Sequence, residues 1–156
     1  MIELHASRYV AAQAVAVYDL ITDIGRMGEW SPENQGGEWL DGASGPAAGA
    51  RFTGRNRRRA AWTTTATVTE ADPGRAFTFV IGKVDRPETR WQYTFTPTGD
   101  GCQVSETCEI LREPGLIGRF LTRLGTGVAW SKRADDLQHG MDETLRRLAA
   151  TAEPQR

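Results

Sequence analysis

Cysteine is scarce in this chain: only Cys102 and Cys108 occur among 156 residues. They stand six residues apart in what reads as one strand, which puts their Cα atoms about 20 Å apart. A disulfide needs less than about 7 Å. A disulfide-stapled scaffold is therefore excluded, and free thiols lead us to expect a cytoplasmic location. Histidine is equally rare. His5 and His139 lie far from the cysteines and from each other, so no metal-ligating spacing exists. Neither a metal nor another cofactor is expected. No charge of one sign prevails: 19 Lys and Arg face 20 Asp and Glu, a net charge of −1. This average favours neither nucleic acid nor an anionic membrane as partner. The longest apolar stretch, Tyr9 to Leu20, is broken by Gln13 and Asp19 and falls short of the roughly 18 residues of a membrane span. No membrane insertion is expected, and Met1-Ile2-Glu3 lacks the basic start of a secretory leader. The motifs G-x-S-x-G, H-E-x-x-H, C-x-x-C and the P-loop are all missing.

What is present reads as one domain over 1–156, since no linker or repeat divides the chain. Ile2–Val10 reads as a strand. Ala14, Val17, Tyr18 and Ile21 recur at i, i+3, i+4 and i+7, which predicts a helix over about residues 11–23. Gly25–Trp30 reads as a short turn or helix, and residues 36–111 as strands punctuated by turn residues, with a loop over Gly42–Gly49. A hairpin turning at Thr98-Gly99-Asp100-Gly101 pairs Trp91 with Cys108, Tyr93 with Glu106 and Phe95 with Val104 on an inward face. Its outward face pairs Arg90 with Glu109, Gln92 with Thr107 and Thr94 with Ser105. A slip of one residue would set polar against apolar along the ladder, so this register is well specified. A second hairpin at Asp72-Pro73-Gly74-Arg75 is expected to pair Ala66 with Ile81, Val68 with Phe79 and Thr69 with Thr78. Trp62, Thr64, Ala66 and Val68 face inward; Thr63, Thr65, Thr67 and Thr69 face water. The chain ends in a long helix whose seam is Trp130, Ala134, Leu137, Met141, Leu145 and Leu148. A shorter amphipathic piece, Leu116, Ile117, Phe120, Leu121 and Leu124, precedes it.

This order gives the α+β class, an antiparallel sheet of about six to seven strands curled around the last helix. It resembles the helix-grip fold of the START-like (SRPBCC) superfamily. The residues that carry the likeness are Ile24-Gly25-Arg26-Met27-Gly28-Glu29-Trp30-Ser31-Pro32-Glu33, Gly49-Ala50-Arg51-Phe52 and the Met141–Leu148 helical end. Within that superfamily they look like the polyketide cyclase/dehydrase branch. The resemblance implies an elongated apolar cavity between sheet and helix. It implies less about function, because the superfamily includes lipid carriers, cyclases, receptors and co-chaperones.

The inward parity collects candidate ligand-binding residues: Trp30, Phe52, Asn56, Trp62, Thr64, Phe79, Trp91, Tyr93, Glu106, Phe120 and Met141. Apolar walls with a few polar anchors describe a small-molecule pocket. Glu106 is the most informative. A buried carboxylate is expensive unless paired, so it is either satisfied structurally, as by a salt bridge to Arg8, or turned to a ligand. Both histidines point outward, which removes the easiest general base. Arg55-Asn56-Arg57-Arg58-Arg59 reads as a solvated hairpin tip without interleaved aromatics rather than a nucleic-acid site. It could also rim the pocket mouth and draw in an acidic ligand or a carrier's phosphopantetheine. Pro114–Gly127 suits either a lid or a static cap. The expected function is carriage or sequestration of a hydrophobic small molecule such as a polyketide, lipid or aromatic metabolite. A polyketide cyclase/aromatase with Glu106 as general base and Tyr93 as proton donor is the enzymatic alternative. A co-chaperone or stress-response interaction module is the third.

Overall fold

The computed structural model describes residues 1–154; Gln155 and Arg156, the end of the expected domain, lie outside the described residues. Seven strands form one antiparallel sheet in the order β1-β7-β6-β5-β4-β3-β2. They are β1 (Ile2–Val10), β2 (Asn34–Trp39), β3 (Arg51–Arg57), β4 (Ala61–Asp72), β5 (Ala76–Lys83), β6 (Arg86–Thr98) and β7 (Gly101–Ile110). From β2 to β7 every strand pairs with its neighbour in sequence, so hairpins build the sheet. β1 alone returns, to pair with β7. Between β1 and β2 lie α1 (Ala14–Thr22) and a 3-10 turn at Ile24–Glu29. α2 (Leu116–Thr126) and the long α3 (Trp130–Ala152) follow the sheet. This is the expected curled sheet around a C-terminal helix.

The β6–β7 hairpin has the expected register throughout, with Trp91 opposite Cys108, Tyr93 opposite Glu106 and Arg90 opposite Glu109. The β4–β5 hairpin needs a correction. Val68 faces Phe79 and Ala66 faces Ile81, but Thr78 lies opposite Glu70 rather than Thr69. The physical reason is the turn. Asp72 pairs with Ala76, leaving a three-residue loop that contains Gly74 at φ 72°, a conformation glycine adopts without steric cost. That loop shifts the register by one, and a bulge at Thr69 shifts it back. The bulge thereby keeps Val68 and Phe79 on the dry face.

The interior divides lengthwise. At one end α1 packs Val17, Tyr18 and Ile21 against Phe77, Phe95 and the last turns of α3, where Leu145 and Leu148 are fully buried. Tyr18 meets Phe77 and Phe95 edge-on, with centroids 6.4 and 5.7 Å apart. Such pairs add about 0.5–1.5 kcal/mol beyond area burial. At the other end no element plays the part of α1, and the sheet and the first half of α3 stay apart.

Candidate functional site

The unfilled end is a cavity of about 1320 Å³. The sheet register sets its depth. Ile81, Thr89 and Ile110 form the outermost row; Phe79 and Trp91 lie one row further in; Tyr93 and Glu106 form the innermost row that the cavity reaches. Glu106 is four residues along β7 from Ile110, about 13 Å inward at strand rise. The next row, Phe95 opposite Val104, belongs to the solid core. α3 supplies the facing wall through Trp130, Leu137, Gly140, Met141 and Thr144. α2 closes part of the mouth with Gly118, Leu121, Thr122, Leu124 and Gly125.

Of the residues expected from the sequence, Asn56, Trp62, Thr64, Phe79, Trp91, Tyr93, Glu106 and Met141 line this cavity. Three do not. Phe52 packs edge-on between Trp39 and Phe79, at 5.3 and 5.1 Å, behind the cavity wall. Trp30 is fully buried in the core, with the Arg26 guanidinium 5.7 Å from its ring. Phe120 is 62% exposed, because α2 turns its small and hydroxyl residues inward and its large apolar ones outward. Helical periodicity identifies a face but not the side on which the rest of the molecule lies.

Tyr93 and Glu106 form the cavity's polar end. The Tyr93 hydroxyl donates to Glu106 Oε1 at 2.6 Å, while Glu106 Oε2 is buried with no partner. The pair needs both the β6–β7 register and the inward parity, since directly opposed residues sit closest across a ladder. Burial pushes the Glu106 carboxyl up to about 8. The Tyr93 hydrogen bond opposes that rise and the nearby Asp142 charge adds to it. Burial, then the Glu106 charge, raises Tyr93 as well. At neutral pH the carboxyl is thus mostly protonated, an O–H donor in an apolar hollow. The expected Arg8 salt bridge is absent among the described residues: Arg8 lies opposite Val104 on the edge strand and its side chain is exposed. Cys108, a buried neighbour on the same strand, has its thiol raised to about 12, first by burial and then by the Glu106 charge. It is no nucleophile at neutral pH.

A second polar cluster at the cavity's side escapes the sequence reading. Arg133 of α3 reaches Asp136 at 2.6 Å and donates to Glu33 Oε2 at 2.9 Å. Arg58, from the β3–β4 tip, joins through Asp136 at 3.1 Å. Burial lowers the Arg133 guanidinium, but hydrogen bonds and charge from Glu33 and Asp136 outweigh it, and the net direction is up. This clasp ties the loop before β2, the β3–β4 tip and the start of α3 together. Only the Arg133–Asp136 spacing of three was visible in the chain; Glu33 is 100 residues away. Of the arginine run, Arg58 lines the cavity, while Arg57 and Arg59 stay exposed. Cys102 and Cys108 are both buried and free on β7. No group of three or more His, Cys, Asp or Glu suited to a metal occurs among the described residues. No helix among them is long and apolar enough to cross a membrane.

A family model described as "Polyketide cyclase / dehydrase and lipid transport" matches residues 1–153. No curated protein matches the chain. Among solved structures, the polyketide-cyclase-like protein Cgl2372 from Corynebacterium glutamicum is 29% identical, with a TM-score of 0.63 over 96% of this chain and 90% of that one. The di-domain aromatase/cyclase StfQ of the steffimycin biosynthetic pathway is 17% identical, with a TM-score of 0.71 over 97% of this chain and 50% of its own. The Aha1 protein of Colwellia psychrerythraea, solved as a dimer, is 13% identical, with a TM-score of 0.62 over 98% of this chain and 97% of that one. The last two likenesses are of fold.

Proposed function

The chain belongs to the polyketide cyclase / dehydrase and lipid transport family, and on that premise we propose that it is a carrier or sequestering protein for a hydrophobic small molecule. A polyketide, a lipid or an aromatic metabolite fits the chemistry. The observation that carries the reading is the cavity. Its roughly 1320 Å³ exceeds the roughly 300–1,000 Å³ of most small-molecule sites; Trp62, Phe79, Ile81, Trp91, Leu137 and Met141 give it apolar walls, and charged residues such as Arg58, Arg86, Arg112 and Arg133 also line it. The innermost end holds one polar pair, Tyr93 and Glu106, which suits a ligand that buries an oxygen there and lays an apolar part along Phe79, Trp91 and Met141. A neutral Glu106 donates a hydrogen bond to a carbonyl or hydroxyl without the cost of an unpaired buried charge. The reading takes the chain as one ligand-binding domain acting in the cytoplasm, where two buried thiols on one strand stay reduced.

The test uses 8-anilinonaphthalene-1-sulfonate as an apolar probe, together with native mass spectrometry of protein purified gently from its own host. We expect enhanced probe fluorescence at one site and a co-purifying apolar species. Thr64→Phe, which fills the cavity from β4, is expected to lower probe affinity at least tenfold, about 1.4 kcal/mol. Unchanged probe binding in a folded Thr64→Phe protein would show that the probe binds elsewhere and would remove the support for an internal site.

The Glu106–Tyr93 pair specifically favours a second reading, polyketide cyclisation. Glu106 as carboxylate would take an α-proton from a poly-β-ketone. The enolate carbon would attack a second ketone, forming the carbon–carbon bond, and Tyr93 would protonate the resulting alkoxide. Loss of water would complete the ring. Carriage ranks first because Glu106 is only 2% exposed and its near partner is Tyr93 itself. If the wild type cyclises a poly-β-ketone and Glu106→Gln binds it normally but turns it over at least about a hundredfold more slowly, the cyclase replaces the carrier. The interaction-module alternative requires an exposed apolar surface, which α2 presents.

A further inference from the structure

We propose that the end of the molecule bearing the cavity mouth docks on an anionic lipid bilayer, with α2 lying in the interface. Three independent features converge there. The first is apolar exposure. Leu116, Ile117, Phe120, Leu121 and Leu124 are at least half exposed, Leu116 at 84%. At about 100° per residue they cover a continuous arc of about 140° on α2. Val84, at the tip between β5 and β6, is also exposed and lies at the same end, since that turn adjoins the end of β7.

The second is charge. Arg57, Arg59, Lys83, Arg86, Arg112 and Arg123 cluster on the tips and on α2 at this end, and none has an ion pair among the described residues. Arg119 is paired with Glu113 at 3.0 Å, and Arg58 and Arg133 are balanced by Glu33 and Asp136 in the clasp. Outside that balanced clasp, Asp85 and Glu88 are the other acids there. Seven basic groups against three acidic ones make this end positive in a chain whose net charge is −1, so the remainder is negative. The whole-chain balance conceals the asymmetry. An amphipathic helix with leucine, isoleucine and phenylalanine on one arc and arginines on its flank is suited to a headgroup boundary. Basic groups add attraction that acts within a Debye length.

The third is continuity. Leu121 and Leu124 belong both to the exposed arc and to the cavity wall, and the α2 residues turned inward are Gly118, Thr122, Gly125 and the buried Thr126. The backbone N–H of Ala60 bonds the Gly125 carbonyl at 2.8 Å, which anchors the arginine-bearing β3–β4 tip to the end of α2. An apolar path thus runs from the outer face into the cavity. Docked this way, an apolar ligand passes between bilayer and cavity without crossing water.

A second copy of the chain fits less well. Eleven residues make a strip about 16 Å long and about 10 Å wide, far short of the roughly 800 Å² per partner of a stable interface. A two-fold contact would also set arginines against arginines. The docking proposal stands apart from the identity of the ligand, because the empty protein tests it.

The experiment is vesicle flotation with phosphatidylcholine alone and with phosphatidylcholine containing phosphatidylglycerol, at low and high salt. The wild type is expected to float with the anionic vesicles, to do so poorly with neutral ones, and to be released by salt. Ile117→Asp and Phe120→Asp alter exposed positions, so the fold, checked by circular dichroism, should persist while vesicle affinity falls at least about tenfold. Arg119→Gln with Arg123→Gln should weaken binding to anionic vesicles only. Equal binding to both vesicle types, no binding to either, or binding untouched by Phe120→Asp overturns the proposal. So does a dimer in sedimentation equilibrium that Phe120→Asp dissolves, which would give the face to a second copy. None of these outcomes bears on probe binding in the cavity, so the two readings fail separately.

Discussion

Glu106 makes stability depend on pH in a direction opposite to that of most carboxylates. Its folded value, about 8, lies above the ordinary 4.5 of the unfolded chain. Between those values the folded state holds a proton that the unfolded state has released, so stability falls as pH rises through this window. The stabilising effect is complete below pH 4.5 and gone above about pH 8. Glu106→Gln, always neutral, escapes this. Denaturant melts at pH 5, 7 and 9 should show the variant gaining on the wild type as pH rises, by on the order of a few kcal/mol at most. A constant difference across the series would mean that Glu106 is not the titrating group. Tyr93→Phe tests the same pair from the other side. The Tyr93 hydroxyl lowers the carboxyl by hydrogen bonding to it, so its removal should raise the Glu106 midpoint further, read by carbon NMR of the carboxyl. A midpoint that falls would contradict the assigned donor. The lost bond should also cost about 1–3 kcal/mol above the midpoint, where the acceptor is charged.

Among the elements, the first turns of α3 depend most on one side chain. Arg133 is buried and bonded to both Glu33 and Asp136. Glu33 Oε1 lies 2.8 Å from Arg133 Nη1 in an ionic contact outside hydrogen-bond geometry, and has no hydrogen bond of its own. Arg133→Met would leave two largely buried carboxylates sharing only Arg58. The expected loss is about 2–4 kcal/mol, below the worst buried cases because both acids stay partly exposed. Hydrogen exchange should speed up over residues 130–137 while the β6–β7 ladder stays protected. Uniform acceleration across the chain would show that the clasp has no local role. α2 is the contrasting element: its amphipathic pattern was plain in the chain, but which way it faced was not. A helix normally turns its apolar arc inward, and here the inward side is the open mouth of a cavity.

At the scale of the whole molecule, the division into a packed end and a hollow end would make stability depend on any ligand held in the hollow. Anything that binds only the folded state stabilises it, by about 2.7 kcal/mol at a free concentration a hundredfold above Kd. For a domain of this size that corresponds to roughly 5–10 °C in Tm. Protein stripped of apolar ligand by solvent extraction and refolding should therefore melt lower than protein purified gently, and should recover when the extract is returned. Identical melting curves for a gently purified sample shown to carry a ligand would mean that the ligand is not held in the interior.

Some of this was determined by the sequence alone. Alternation along β6 and β7 specified their register, because a one-residue slip exposes Trp91, Tyr93 and Phe95 together. That register by itself brought Tyr93 opposite Glu106. The seam through Met141, Leu145 and Leu148 identified the gripped helix. Tertiary structure decided the rest. The bulge at Thr69 depends on how a three-residue turn is reconciled with a buried face, which local pattern does not encode. Whether an inward aromatic lines a cavity or fills a core depends on what stands opposite. Phe95 meets α1, whereas Trp91 meets open space, although both share the same parity on one strand. The Glu33–Arg133 clasp joins residues 100 apart, and the positive apolar end gathers residues from three separate tips and a helix. Such features arise from distance in space, and a linear pattern carries only distance along the chain.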